Sequence, residues 1–170
     1  MLLNLLEWIQ NTGIFVYLRS SAYLYPIILA FHLSAISVFG GMIVLSDLCL
    51  LGWIPRQVSG AALVDGLRVP KRIGLLVAAT FGFLLFCCKA EQYYYNVYFR
   101  TKLLLLALTA VHALIFRHRV YNRLNETIPI GPANLQARLA AFLSLLLWTG
   151  ILTAGRAIGY VPAPPGLHFL

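Results

Sequence analysis

The sequence predicts an all-α polytopic membrane protein, a bundle of four transmembrane helices with an amphipathic N-terminal helix at the membrane interface. Composition is the first observation behind this prediction. Of the 170 residues 61% are hydrophobic and only 11% are charged, whereas a soluble domain has about 25% charged residues. The second observation is that four apolar segments are each long enough to cross a bilayer, which takes about 20 residues. We expect a single transmembrane domain over residues 1–170.

The N-terminal segment, residues 1–18, is predicted to lie along the outer interface without crossing the bilayer. Its apolar run is interrupted by Glu7, Gln10 and Asn11, each of which would be costly at the bilayer centre. Trp8 suits an amphipathic helix at the interface. No basic residues precede the apolar run, so we do not expect a signal peptide.

Four predicted spans follow, at about residues 21–51, 73–93, 97–116 and 135–160. They should be helices, because every backbone polar group in hydrocarbon must be paired within the protein. Pro26 falls in the first turns of the first span, where its missing N–H is tolerated. Pro129 and Pro132 separate the third span from the fourth.

The distribution of the 13 basic residues predicts the orientation. One side of the membrane holds Arg56, Arg68, Lys71, Arg72, Arg117, Arg119, Arg123 and Arg138. The other side holds Arg19, Lys89, Arg100, Lys102 and Arg156. Since basic loops stay in the cytoplasm, the richer side is predicted to be cytoplasmic. Both termini should then face the periplasm or exterior of a bacterial inner (plasma) membrane.

The net charge of +8 does not indicate nucleic-acid binding, because the basic residues flank apolar segments and form no basic tail. The three cysteines, Cys49, Cys87 and Cys88, lie in or beside apolar segments. Their spacing matches no zinc site, thioredoxin-like motif or c-type haem attachment. We expect them to be small packing residues.

Span three contains the ionisable residues Lys102 and His112. With Thr109 they form one stripe, because a helix advances about 100° per residue. A polar stripe in a span should face other helices and marks a candidate functional site. Two simpler interpretations remain open: Lys102 can extend its amine to the outer interface, and His112 can donate a hydrogen bond to a carbonyl.

Span one contributes His32, which is far from both ends of its segment. A histidine at this depth donates a hydrogen bond between helices, takes part in proton handling, or ligates a metal or haem iron. Counted from the outer ends of spans one and three, His32 and His112 differ in depth by about 6 Å, although counting from the inner ends gives more. The basic residues at the outer end could anchor haem propionates or be ordinary helix-end charges; they are Arg19, Arg100, Lys102 and Arg156.

Two segments, "LRSSAYLYPIILAFHLSAISVFGGMIVLSDLCLLG" and "WTGILTAGRAIGY", resemble an uncharacterised family of small bacterial four-helix inner-membrane proteins. The order of features is also similar to HemJ-type protoporphyrinogen oxidases and CopD-type membrane proteins. The matching positions are His32, Lys102 in "FRTKLLLL" and His112, with "NETIP" before the last span. The HemJ-type resemblance implies b-type haem and porphyrin oxidation.

These patterns favour a membrane redox protein that binds haem b and passes electrons between a quinone or porphyrin and a periplasmic partner. His32 and His112 would ligate the iron, and Lys102, Arg19 and Arg156 would hold the propionates. The alternative is a structural or accessory subunit of a larger membrane complex or oligomer, with no cofactor. A copper transporter ranks last, because the chain has no Met-rich or Cys-rich relay. The sequence does not decide whether the protein is an enzyme.

Overall fold

The computed structural model describes residues 1–53, 63, 66–124 and 135–161, with the side chains of 117–124 left aside. Its helices are α1 (Leu2–Gln10), α2 (Gly13–Ser20), α3 (Leu24–Leu51), α4 (Arg68–Cys88), α5 (Ala90–Tyr95), α6 (Val97–Leu124) and α7 (Leu135–Ala157). Four of them, α3, α4, α6 and α7, are long and apolar enough to cross a membrane. The prediction of an all-α protein with four spans is therefore confirmed. The "NETIP" motif, Arg56, Pro129 and Pro132 lie outside the described residues.

The N-terminal segment forms two short helices instead of the single helix expected from the sequence. Thr12 adopts an extended backbone conformation (φ −61°, ψ 133°) between α1 and α2, and its Oγ1 donates to the Trp8 carbonyl over 3.0 Å. Asn11, Thr12 and Gly13 are weak helix formers, which explains a break here. The two helices have nine and eight residues, too few to cross a bilayer.

The second span also differs from its predicted bounds of 73–93. Helix α4 begins at Arg68 and ends at Cys88. The backbone then turns at Lys89 (φ −143°, ψ 44°) into the separate helix α5. As a result Lys71, expected in a loop, lies in the first turn of α4. Lysine and arginine are good helix formers, so a basic segment can extend an apolar helix past the hydrocarbon.

Helix α3 is central, because it packs against α4 on one side and α7 on the other, and α7 packs in turn against α6. Glycine permits the close approach of α4, since a Cβ on Gly74 would lie 3.2 Å from Phe39 Cβ. Phe39 meets Trp148 edge to face with ring centroids 5.3 Å apart. These rings and Ile151 form the buried apolar core.

The short helices α1, α2 and α5 all lie at one end of the bundle, here called the cap end. Helix α1 contacts α5 through paired hydrogen bonds: Gln10 Nε2 donates to Glu91 Oε2 over 2.9 Å, and the Glu91 N–H donates to Gln10 Oε1 over 3.2 Å. The opposite end, where α3 ends and α4 begins, is here called the far end.

Within the described residues, α6 makes no extended backbone contact with either α3 or α4. Aromatic rings join α4 and α6 at the cap end, where Phe86 and Phe99 stack with centroids 5.5 Å apart. Tyr93 stacks on the other side of this contact, 5.2 Å from Phe99. The backbones of α4 and α6 therefore lie apart, and these rings join the two helices at the cap end. We call the region between the two helices the α4–α6 gap.

Candidate functional site

The imidazole of His32 joins α3 to α4. It is half-buried, and its Nδ1 lies 3.0 Å from the carbonyl oxygen of Ala78. A carbonyl only accepts, so Nδ1 carries the proton and donates. The second nitrogen, Nε2, is then the unprotonated one. It has a lone pair available for a metal ion or a hydrogen-bond donor.

Gly82, one helical turn after Ala78, provides the space for this ring. A Cβ at Gly82 would lie 2.8 Å from His32 Cε1 and 3.6 Å from Nε2. Real Cβ contacts do not come as close as 2.8 Å, so any side chain at this position would push the imidazole aside. The carbonyl of Ala78 and the missing side chain of Gly82 together fix where the imidazole lies.

Lys102 brings a second polar group from α6. Its side chain runs along α7, where a Cβ on Gly155 would meet Nζ at 3.6 Å and Cδ and Cε at 3.7 Å. Lys102 is half-buried and close enough to His32 for its charge to act on the imidazole. Among the described residues no carboxylate or hydrogen-bond acceptor is bonded to this ammonium group.

The other basic residues at the cap end all have partners within the protein. These are Arg19 Nη2 with Asn11 Oδ1 at 3.4 Å, Lys89 over the Tyr25 ring at 4.9 Å, Arg100 Nε with the Tyr94 carbonyl at 2.9 Å, and Arg156 Nη2 with the Tyr160 hydroxyl at 2.7 Å. Two of them, Arg19 and Arg156, were expected to anchor propionates. In the structure their guanidinium groups bond Asn11 and Tyr160, and Lys102 is the cation that lacks such a bond.

His112 lies elsewhere in the fold. It faces the backbone of Ala140 in α7 and stacks on Phe116 with ring centroids 4.9 Å apart. Its Nε2 is buried without a hydrogen-bond partner among the described residues. His112 therefore lies against α7 with one ring nitrogen unpaired in the described part of the chain.

The depth of His112 separates it from His32. His112 follows Lys102 by ten residues, or about 15 Å along α6, and Lys102 lies near His32. Two nitrogens that ligate one metal ion each lie about 2 Å from it. The structure thus brings His32 and Lys102 together and does not bring His32 and His112 together. Counting residues from the span ends missed this, because it ignores the register between helices.

The polar stripe of α6 is present, as expected. Lys102, Thr109 and His112 all lie on the less exposed face of the helix. Thr109, however, donates to its own helix at the Leu105 carbonyl, over 2.8 Å. Its hydroxyl therefore does not bridge the two ionisable residues.

The donor set fits a single axial haem ligand better than a protein-bound metal ion. In the described part of the chain no three His, Cys, Asp or Glu side chains cluster as a metal site would require. A haem needs only one or two protein ligands. His32 fits that role, because metal-ligating histidines usually donate their other ring N–H to a carbonyl or carboxylate.

Sequence reasoning missed a second polar cluster, at the far end. It centres on Asp47 of α3, which is buried together with Ser46 and Ser144. Lys71 of α4 donates to the Ser46 hydroxyl. An aspartate inside the first apolar segment was the signal that could have revealed this cluster.

Four membrane-length helices around a half-buried imidazole and ammonium define a polytopic α-helical membrane protein with a polar site between its spans. The chain belongs to DUF6644, a family of unknown function, whose sequence profile matches residues 5–161. This match confirms the resemblance to an uncharacterised family. No curated protein and no solved structure is significantly similar to the chain.

Proposed function

We propose that this chain is a membrane redox protein that holds one b-type haem in the α4–α6 gap. His32 would ligate the iron and Lys102 would pair with a propionate. One observation carries the proposal: the ammonium group of Lys102, which has no bonded partner among the described residues, acts electrostatically on the imidazole of His32, whose Nε2 is unprotonated. We place the protein in a bacterial inner membrane, with its cap end toward the periplasm.

The energetic argument starts from Lys102. A buried cation without a partner is strongly unfavourable, and an opposite charge that reaches it offsets the cost of desolvation. The described residues supply no negative charge to Lys102, so a ligand that carries a carboxylate would have to supply it. Haem satisfies both groups at once, since its iron takes an axial imidazole and its propionates are carboxylates.

The residues of this chain would bind, orient and shield the group. The Ala78 carbonyl holds the His32 ring in one tautomer, and Gly82 keeps the ring free of steric contact. Lys102 would fix the carboxylate end of the ligand. When bound, haem supplies one-electron chemistry. His112 lies about 15 Å along α6 from Lys102, so this chain would offer the iron His32 as its ligand and not His112.

The absorption spectrum of the purified protein tests this proposal. We expect a Soret band that His32→Ala abolishes and His112→Ala leaves intact. His112→Ala is the matched control, because His112 is a half-buried histidine in another span. Lys102→Met should weaken haem retention without loss of helix content. If protein purified from haem-supplemented cells shows no Soret band, or if His32→Ala keeps it, the haem proposal is wrong.

An accessory subunit without a cofactor is the second candidate, and one observation favours it. The hydrogen bond to Ala78 and the contact with Gly82 are sufficient by themselves to explain why a histidine occupies position 32. In that case His32→Ala would lower stability in protein that never contained haem. The same variant would also release a co-purifying membrane partner, which native gel electrophoresis would detect.

A further inference from the structure

The far end of the bundle buries a carboxyl group that the proposed haem site does not use. Asp47 lies four residues before the end of α3 at Leu51, about 6 Å along the helix axis. Its side chain is only 8% exposed. Burial of an aspartate to this degree is rare unless it is paired or functional, so each of its oxygens needs an account.

One carboxylate oxygen of Asp47 is buried without a partner. This atom, Oδ2, has no hydrogen-bond partner among the described residues. The Ser144 hydroxyl of α7 lies close enough to the carboxyl group to act on it. An acceptor left in this state carries its full desolvation penalty, so the free Oδ2 is a position where a small ligand would be stabilised.

Lys71 lies next to this carboxylate without bonding it. Its charge acts on Asp47, yet its amine donates to Ser46 Oγ. Ser46 in turn donates to the Met42 carbonyl over 2.9 Å. The Lys71 ammonium group is therefore bonded to Ser46, the residue before Asp47. Oδ2 of Asp47 has no partner among the described residues.

The surroundings decide which ligand fits. The positive charge of Lys71 repels a metal cation, and a single carboxylate with two hydroxyls is a poor ligand set for one. The charge of Asp47 repels an anion. A proton fits this site, because it needs no cavity and only one lone pair. Asp47 lies near the far end of α3, so Oδ2 is close to the membrane surface.

We propose that Asp47 is a proton-binding site on the side of the membrane where α3 ends. A hydronium ion from the adjacent water gives its proton to Oδ2 and leaves a water molecule, and the reverse step returns the proton. Ser144 of α7 faces the carboxyl group in both states. Lys71 is the counter-ion of the ionised state. This inference does not rest on the haem proposal.

The charged groups facing Asp47 are few. From α4 the charge that acts on Asp47 is that of Lys71, and Arg72 is exposed. From α7 the facing group is the neutral Ser144, and Arg138 is exposed. His112 contacts α7 at Ala140, one turn from Ser144. Among the described residues, Lys71 is thus the charge that controls proton affinity at Asp47.

Infrared difference spectroscopy of the protein in lipid vesicles, titrated with pH, tests the site. We expect a protonated-carboxyl band that grows reversibly as the pH falls and shifts in deuterium oxide. Asp47→Asn should remove it, while Glu7→Gln, which changes an exposed carboxyl group, should not. The chain has only five acidic residues, so the loss of one band is directly assignable.

Lys71→Met provides the second measurement. Removing a nearby positive charge favours the neutral acid, so the midpoint of the band should move up by about one pH unit or more. Ser144→Ala should move the midpoint in the same direction. Both variants keep the Asp47 carboxyl group, so they test the proposal even if Asp47→Asn fails to fold. A band unaffected by Asp47→Asn, or a midpoint unchanged in both other variants, would overturn the proposal. The proposal would also be overturned if the protein stays folded and no titrating band appears, because Asp47 would then stay ionised beside Lys71 throughout.

Discussion

A single backbone contact determines what His32 can do. The sequence places a histidine deep in an apolar span but does not say which nitrogen is free. Its hydrogen bond to the Ala78 carbonyl fixes the tautomer, and Gly82 leaves room for the ring. A neutral imidazole held in this way has a lone pair with a fixed direction. In metal sites a hydrogen bond of the same kind orients the histidine that ligates the metal.

Gly82→Ala tests this positioning without changing any polar group. The new Cβ would lie 2.8 Å from His32 Cε1, so the ring must rotate or α4 must move away. We expect lower thermal stability and, if haem is bound, a weaker or shifted Soret band. Gly41→Ala is the matched control, because a Cβ there meets nothing within 4 Å. If Gly82→Ala and Gly41→Ala have the same thermal stability and the same Soret band, the position of the His32 ring matters neither for stability nor for haem binding.

Lys102→Met should have opposite effects with and without ligand. In ligand-free protein it removes an unpaired, half-buried cation from the bundle, so the variant should unfold at a higher temperature than the unchanged protein. In ligand-loaded protein it removes a charge partner and should weaken retention. Thermal unfolding before and after haem addition measures both effects.

Lys89→Met serves as the control for this variant, since Lys89 lies over the Tyr25 ring at the cap end. It should lose a cation–π contact and change stability little in either state. A Lys102→Met protein that is destabilised equally with and without haem would contradict the pairing of Lys102 with a ligand.

At the scale of elements, the main departures from the expected helices are breaks. Thr12 separates α1 from α2, and Lys89 separates α4 from α5. Each break turns a short amphipathic helix across the end of the bundle. The cap end is therefore built from α1, α2 and α5, and its rings join α4 and α6.

Gln10→Ala tests whether α1 is held by its contact with α5. The change removes two hydrogen bonds to Glu91 at once. A typical hydrogen bond contributes about 1 kcal/mol net, and bonds to a charged group more, so we expect faster amide exchange across α1 with the spans unaffected. Glu7→Gln, on the exposed side of α1, should leave exchange unchanged. If Gln10→Ala also leaves it unchanged, apolar contacts hold α1 in place.

For the whole molecule, the order of helix contacts is α4, α3, α7, α6. The second and third spans, α4 and α6, follow one another in sequence but stand at the two ends of this order, and they make no extended contact in the described part of the chain. This order leaves the α4–α6 gap beside His32 and Lys102. It also places the Asp47 cluster at the opposite end of the same bundle.

The orientation of the molecule in the membrane is the prediction at this scale. The basic residues predict that the far end faces the cytoplasm. In cells expressing Asp65→Cys, an impermeant thiol reagent should label position 65 only after permeabilisation, although this position lies outside the described residues. Asn4→Cys, near the exposed N-terminus, should label in intact cells. The reverse pattern would invert the topology and place Asp47 at the outer surface.

The sequence by itself determined the class of the protein, its four spans and the face of α6 that carries Lys102, Thr109 and His112. These features depend on local properties: the length of an apolar run and the 3.6-residue period of a helix. The breaks at Thr12 and Lys89 shift the ends of helices from the predicted positions, so residue counts from those ends do not give depth.

Only the tertiary structure decided which polar residues meet. His32 lies near Lys102 and not near His112, and Asp47 lies between α4 and α7, because the packing of each helix on its neighbour sets the depth of every side chain. That register depends on close contacts across helices, such as Gly74 against Phe39 and Gly82 against His32. Such contacts join residues distant in sequence, and no local pattern of apolar and polar residues encodes them.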